Sequence, residues 1–118
     1  MRLIIAGSRT LSVPPETIDS HVRLLESWGD TVTTVLCGMA KGIDLCGLAW
    51  AESHGILVER YPADWNTHGK AAGPIRNRQM AENADALLLI WDGKSRGSAN
   101  MLKQAEEFGL ALLEVKVE

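Results

Sequence analysis

The chain has 118 residues, 46% apolar and 23% charged, the balance of an ordinary globular protein folded as one domain over residues 1–118. No apolar run approaches the roughly 20 residues needed to cross a bilayer, and the opening MRLIIAGSRT carries too short an apolar stretch for a signal peptide. A net charge of −3 counts against a general nucleic-acid binder.

A domain of this size buries roughly two-thirds of its unfolded surface, so a core can form without staples. Cys37 and Cys46 read as core or near-core thiols in a reduced, cytoplasmic setting. His21, His54 and His68 are scattered and form no ligand pair, so neither a metal site nor a cofactor is expected.

In chain order, Arg2–Ala6 is a short apolar strand ending at Gly7. Pro14-Pro15-Glu16 opens a helix to about Trp28, with proline suited to a first turn and Ile18, Val22 and Leu25 at helical spacing. Thr31–Cys37 is rich in β-branched residues and predicts a second strand. Gly42-Ile43-Asp44 starts a helix that runs to His54 and stops at Gly55. Ile56–Tyr61 is a third strand, and Pro62–Gly73 a long polar connection. A helix over about Ile75–Asn83 follows, then the apolar run Ala86–Trp91, as for a central strand covered on both faces. Asp92–Gly97 reads as a turn, Ser98–Phe108 as a helix and Leu110–Val117 as a last strand. The alternation predicts an α/β, Rossmann-like three-layer sandwich: a five-stranded, mostly parallel sheet with helices on both faces. Ligands in such sheets sit outside the carboxyl ends of the strands, at the switch in strand order.

Three turns carry the chemistry. After the first strand, Gly7-Ser8-Arg9 offers close backbone approach, a hydroxyl and a guanidinium able to grip a phosphate in bidentate fashion. After the second, Gly38, Met39, Ala40, Lys41 and Gly42 lead into a helix start that favours an anion. Asp44 there reads either as a first-turn carboxylate or as a hydrogen-bond partner of a ribose or base. After the fourth, Asp92, Gly93, Lys94, Ser95, Arg96, Gly97 and Ser98 again place glycine, hydroxyls and cations before a helix, with Ser98 as a candidate N-cap. The turn matches neither the Walker A loop nor the dinucleotide fingerprint. Arg76 and Arg78 lie on the helix ahead of the fourth strand, whose start approaches the same edge by topology. Trp65 and, less so, Trp91 are candidates for stacking on a base, although tryptophan more often serves a core or interface. Seven of the twelve basic residues (Arg9, Lys41, Lys70, Arg76, Arg78, Lys94 and Arg96) fall in or beside these turns, which describes a cationic pocket inside an acidic protein.

Taken together, these residues resemble the SLOG superfamily, named for the Smf/DprA and Lonely Guy (LOG) proteins, and most of all its YspA-like, YpsA-related members. GSR at Gly7–Arg9 followed by GMAKGID at Gly38–Asp44 is similar to the DprA pattern. Arg76, Met80, Ala84-Asp85, Gly93, Gly97 and Ser98 follow the order of the LOG pattern. The resemblance implies a Rossmann-like fold, nucleotide-derived ligands and self-association into a dimer or tetramer.

LOG enzymes cleave N-glycosidic bonds of nucleoside monophosphates with an arginine and a glutamate. Arg76 matches the arginine, but Ala99-Asn100-Met101 stands where the glutamate is expected, and Glu106 lies about 9 Å further along the helix. Cleavage of the oxocarbenium type wants a carboxylate near the anomeric carbon, and Asp44, Asp64 and Asp92 are the candidate substitutes. The expectation is a binding or sensing module for a phosphate-bearing nucleotide-like small molecule. N-glycosidase activity resting on Arg76, Asp44 and Asp92 is the first alternative, and a DprA-like DNA-handling module the second.

Overall fold

The computed structural model describes residues 1–117. Five strands, β1 (Arg2–Gly7), β2 (Thr34–Cys37), β3 (Leu57–Arg60), β4 (Ala86–Trp91) and β5 (Ala111–Lys116), form one sheet in the order β3-β2-β1-β4-β5. Every pairing is parallel, so the sheet is wholly rather than mostly parallel among the described residues. Successive strands run outward from β1 to β3, then the chain crosses back to β4 on the other side of β1. The switch in strand order therefore falls between β1 and β4.

Side-chain alternation along the strands sorts two cores. Leu3 and Ile5 of β1 and Leu88 and Ile90 of β4 face α1 (Pro15–Ser27) and α2 (Ile43–Ser53), meeting Ile18, Val22, Leu25 and Trp50. Ile4, Ala6, Leu87 and Leu89 face the opposite way, meeting Met80 of α4 (Ala72–Glu82) and Met101 and Ala105 of α5 (Arg96–Glu107). The continuous apolar run of β4 is buried at all six positions, as its place between two helical layers requires.

The contact of α2 with β1 is close. A β-carbon added at Gly47 would stand 2.6 Å from Ile5 Cγ2 and 2.7 Å from its Cβ. Gly47→Ala is expected to destabilise the fold by about 1–3 kcal/mol through overpacking, even though alanine is the better helix former. Urea unfolding measures the difference; an unchanged or raised midpoint contradicts this packing.

Several boundaries differ from the sequence expectation. The Pro62–Gly73 connection holds a four-residue helix, α3 (Trp65–His68), capped by Asp64, whose carboxylate accepts from the Thr67 N–H at 3.1 Å. A 3₁₀ turn over Gly69–Ala71 follows. The helix expected from Ile75 starts at Ala72, because Gly73 and Pro74 fit its first turn, where backbone N–H groups have no intrahelical partner to lose. The last helix starts at Arg96, and its cap is Ser95 rather than Ser98: the Ser95 hydroxyl accepts from the Ser98 N–H. β2 begins at Thr34 rather than Thr31, since the Val32 N–H donates to the Glu26 carboxylate instead of a ladder. No helix among the described residues is long and apolar enough to cross a membrane.

Candidate functional site

The turns after β1, β2 and β4 are bound to one another by short-range backbone packing. The Ser8 N–H donates to the Ile90 carbonyl (3.1 Å), and the Ser8 hydroxyl accepts from the Asp92 N–H (3.1 Å). Ser8 is thereby buried and its hydroxyl is occupied by protein. The Ser8 carbonyl accepts from the Ile43 N–H at 3.4 Å, tying the first turn to the start of α2. Gly42 has φ +78°, and a β-carbon there would stand 2.4 Å from the Ser8 carbonyl oxygen. Gly7 has even less room, with a β-carbon placed 1.8 Å from the Ile90 carbonyl oxygen. The close approach permitted by these two glycines is thus between the turns themselves. Met39, at φ 62°, is the one non-glycine in the left-handed region among the described residues.

The fused turns form one wall of a cavity of about 300 Å³ at the carboxyl ends of β1 and β4. Nine of the residues singled out in the sequence line it: Gly7, Arg9, Ala40, Asp44, Arg76, Ser95, Arg96, Gly97 and Ser98. Trp65 and Lys70, also singled out in the sequence, line it too, with Asn77, Gly73 and Pro74, over Ala6, Met80 and Met101. Gly38, Met39 and Lys41 line an adjoining cleft that shares Arg9, Ala40, Trp65 and Arg76 with the cavity.

The two arginines of α4 separate completely. Arg76 is 8% exposed and turns inward: its Nη1 donates to the Gly38 and Tyr61 carbonyls, and its Nε to Asn77 Oδ1 at 2.9 Å. Arg78 turns outward to pair with Glu82 at 2.9 Å, its guanidinium over the Phe108 ring. Asn77 has no marker in the sequence beyond its neighbours. Its amide nitrogen donates to the Gly97 carbonyl (3.3 Å) and to Asn100 Oδ1 (3.0 Å), so it joins α4 to the start of α5 beneath the cavity. Asn100, at the position where a LOG-type glutamate was sought, spends its carbonyl on this bridge.

The three candidate carboxylates also separate. Asp44, buried in the first turn of α2, is the only acid of the cavity lining among the described residues. Its Oδ2 accepts from the Ala40 N–H at 3.3 Å. A β-carbon on Gly38 would stand 2.7 Å from both Asp44 Oδ2 and Arg76 Nη1, so this glycine lets the acid and the guanidinium converge. Burial pushes the Asp44 carboxyl up to about 6, against the lowering pull of the Ala40 N–H and the Arg76 guanidinium. Asp92 is occupied by the Lys94 and Ser95 N–H groups (2.8 and 2.9 Å), which hold its carboxyl below the usual range. Asp64 is occupied by its cap.

Trp91 is buried and its indole N–H donates to Glu114 at 2.8 Å, which removes it as a stacking face. Trp65 remains 49% exposed at the cavity mouth. Cys37 is fully buried beneath the second turn, its thiol pushed up to about 11 by burial.

A family profile described as "YspA, cpYpsA-related SLOG family" matches residues 1–68, which contain both the GSR and the GMAKGID turns. The chain belongs to this family. It is also 33% identical over 85 residues to the "Gene 61 protein" of Mycobacterium phage D29, a match covering 67% of this chain and 68% of that protein. No solved structure matches it.

Proposed function

We propose that this SLOG family protein binds a phosphate-bearing nucleotide or nucleotide-derived small molecule in the cavity at the carboxyl edge of the sheet, and acts as a sensor or binding module. One observation carries the reading. Among the described residues, Arg9, Lys70, Arg76 and Arg96 share one cavity with a single carboxylate, Asp44, in a chain whose net charge is −3. The start of α5 adds the favourable end of its dipole for an anion. The exposed Leu24, Trp28, Leu57 and Phe108 supply faces for the self-association that belongs to the same proposal.

A thermal-shift panel of nucleoside mono- and diphosphates, cyclic nucleotides and ADP-ribose derivatives tests it. A ligand at 100 times its dissociation constant stabilises by about 2.7 kcal/mol. Arg9→Ala, which removes an exposed guanidinium of the lining, is expected to weaken that ligand about 5- to 50-fold, in line with one lost charge-assisted contact. If no member of the panel raises the melting temperature, the proposal fails.

A second reading, N-glycosidic hydrolysis, is favoured by Asp44 alone. It is a carboxylate of raised pKa set close to Arg76 in the cavity, the kind of group that bond cleavage of this type uses. Release of free base from nucleoside monophosphates, abolished in Asp44→Asn, would establish it; its absence at high protein concentration would remove it for those substrates.

A further inference from the structure

Trp65 has no part in the core. It lies on α3, a four-residue helix without a buried residue, followed by a 3₁₀ turn that also buries none. Half of its indole is nevertheless left in water at the cavity mouth. The ring is held in place from two sides. Its Cη2 edge rests on the first turn of α4, where a β-carbon on Gly73 would stand in ordinary contact at 3.5 Å. Arg9 lies over the ring with its guanidinium carbon 5.9 Å from the centroid. Arg9 and Trp65 both line the cavity and the adjoining cleft, so the pair stands where the two hollows meet.

The rest of the cavity lining contains no other aromatic ring. Its cations and amides suit phosphate and hydroxyl groups, and leave no other flat apolar surface for a heterocycle. A nucleobase is planar and π-bearing, and stacking on an indole recognises it with little dependence on base identity. Building on the anion-binding reading of the cavity, we infer that Trp65, with Arg9 over it, is the stacking face for the ligand's planar base, and that this face selects nucleotides over simple sugar phosphates.

Calorimetric titration of the full chain with the four ribonucleoside 5′-monophosphates and with ribose 5-phosphate tests this. In the wild type the best monophosphate is expected to bind at least ten-fold tighter than ribose 5-phosphate, the size of one base–aromatic stack. In Trp65→Ala that advantage should collapse to near unity, the monophosphates losing far more affinity than ribose 5-phosphate does. Trp65→Phe should restore most of it, which a merely structural role would not require. Equal binding of monophosphates and ribose 5-phosphate by the wild type, or an advantage that survives in Trp65→Ala, overturns the assignment of Trp65 and leaves the anion cavity standing. Failure of every phosphate compound to bind the wild type overturns the cavity reading and this inference with it.

Discussion

Gly7→Ala is expected to destabilise the protein by about 3 kcal/mol or more. The added methyl would stand 1.8 Å from the Ile90 carbonyl oxygen, 2.8 Å from the carbonyl carbon and 2.9 Å from Ile43 Cβ. Two of those neighbours are backbone of β4, the interior strand paired with the central strand β1 over Leu3–Gly7. Neither can move aside as a flexible side chain would. Relief requires β1 and β4 to part at the end where the Ser8 N–H meets the Ile90 carbonyl, and overpacking against rigid neighbours belongs to the large-effect class of substitutions. Gly97→Ala is the matched control. It lies in the first turn of α5 with nothing within 4 Å of the added carbon, and its stability should change by no more than about 1 kcal/mol. Chemical denaturation of the two variants side by side reads the difference. A Gly7→Ala protein as stable as the wild type would mean that the turns after β1 and β4 are not packed as described.

Asp44→Asn is expected to change how stability depends on pH. The Asp44 carboxyl titrates at about 6 in the fold because burial disfavours its charged form, against an ordinary value of 3.8 in the unfolded chain. Below both values the carboxyl is protonated in both states and burial carries no charge penalty. As pH rises between them, the unfolded chain ionises first, and the folded state loses about 3 kcal/mol relative to it. Above about pH 6 the loss is complete. Asparagine keeps an oxygen for the Ala40 N–H and does not ionise. The stability difference between wild type and variant should therefore swing by about 3 kcal/mol toward the variant between pH 3.5 and 7, and be flat on either side. Other carboxylates, such as Asp92 and Glu59, titrate low in the fold and act in the opposite direction, but they are common to both proteins and cancel. Urea midpoints at intervals across this range test the effect, and parallel curves for the two proteins contradict it.

Much of this arrangement is legible in the sequence, for identifiable reasons. The order of elements along the chain, the two-sided burial of Ala86–Trp91 and the turns at Gly7, Gly38–Gly42 and Asp92–Ser98 all follow from periodicity and glycine placement. Their convergence follows from parallel topology. What glycine accomplishes at Gly7 and Gly42 is not legible: the residue type signals close approach, but whether to a ligand or to Ile90 and Ser8 depends on which strands are neighbours. The place of Ser8 depends on the same long-range pairing, since the Asp92 N–H that donates to its hydroxyl comes from 84 residues away. Arg76 and Arg78 look equivalent in sequence, and only the helix phase, with Met80 and Ala81 against the sheet, turns one inward and the other to Glu82. Asn77 left no signal, because a single asparagine between two arginines reads as one more solvent-facing side chain. The early start of α4 was hidden by Gly73-Pro74, a pair that usually ends structure and here occupies a first turn.

In the proposed function, a phosphate-bearing nucleotide sits over the turns after β1, β2 and β4. Amide chemical-shift mapping during titration with nucleoside 5′-monophosphates tests it most directly. Arg9, Ala40, Gly97 and Ser98 line the cavity, and their backbone amide signals should shift in a saturable manner. Those of Thr33, Asp85 and Ala111, at the opposite edge of the sheet, should stay in place. Saturable shifts confined to the opposite edge, or none at millimolar nucleotide, would contradict the account.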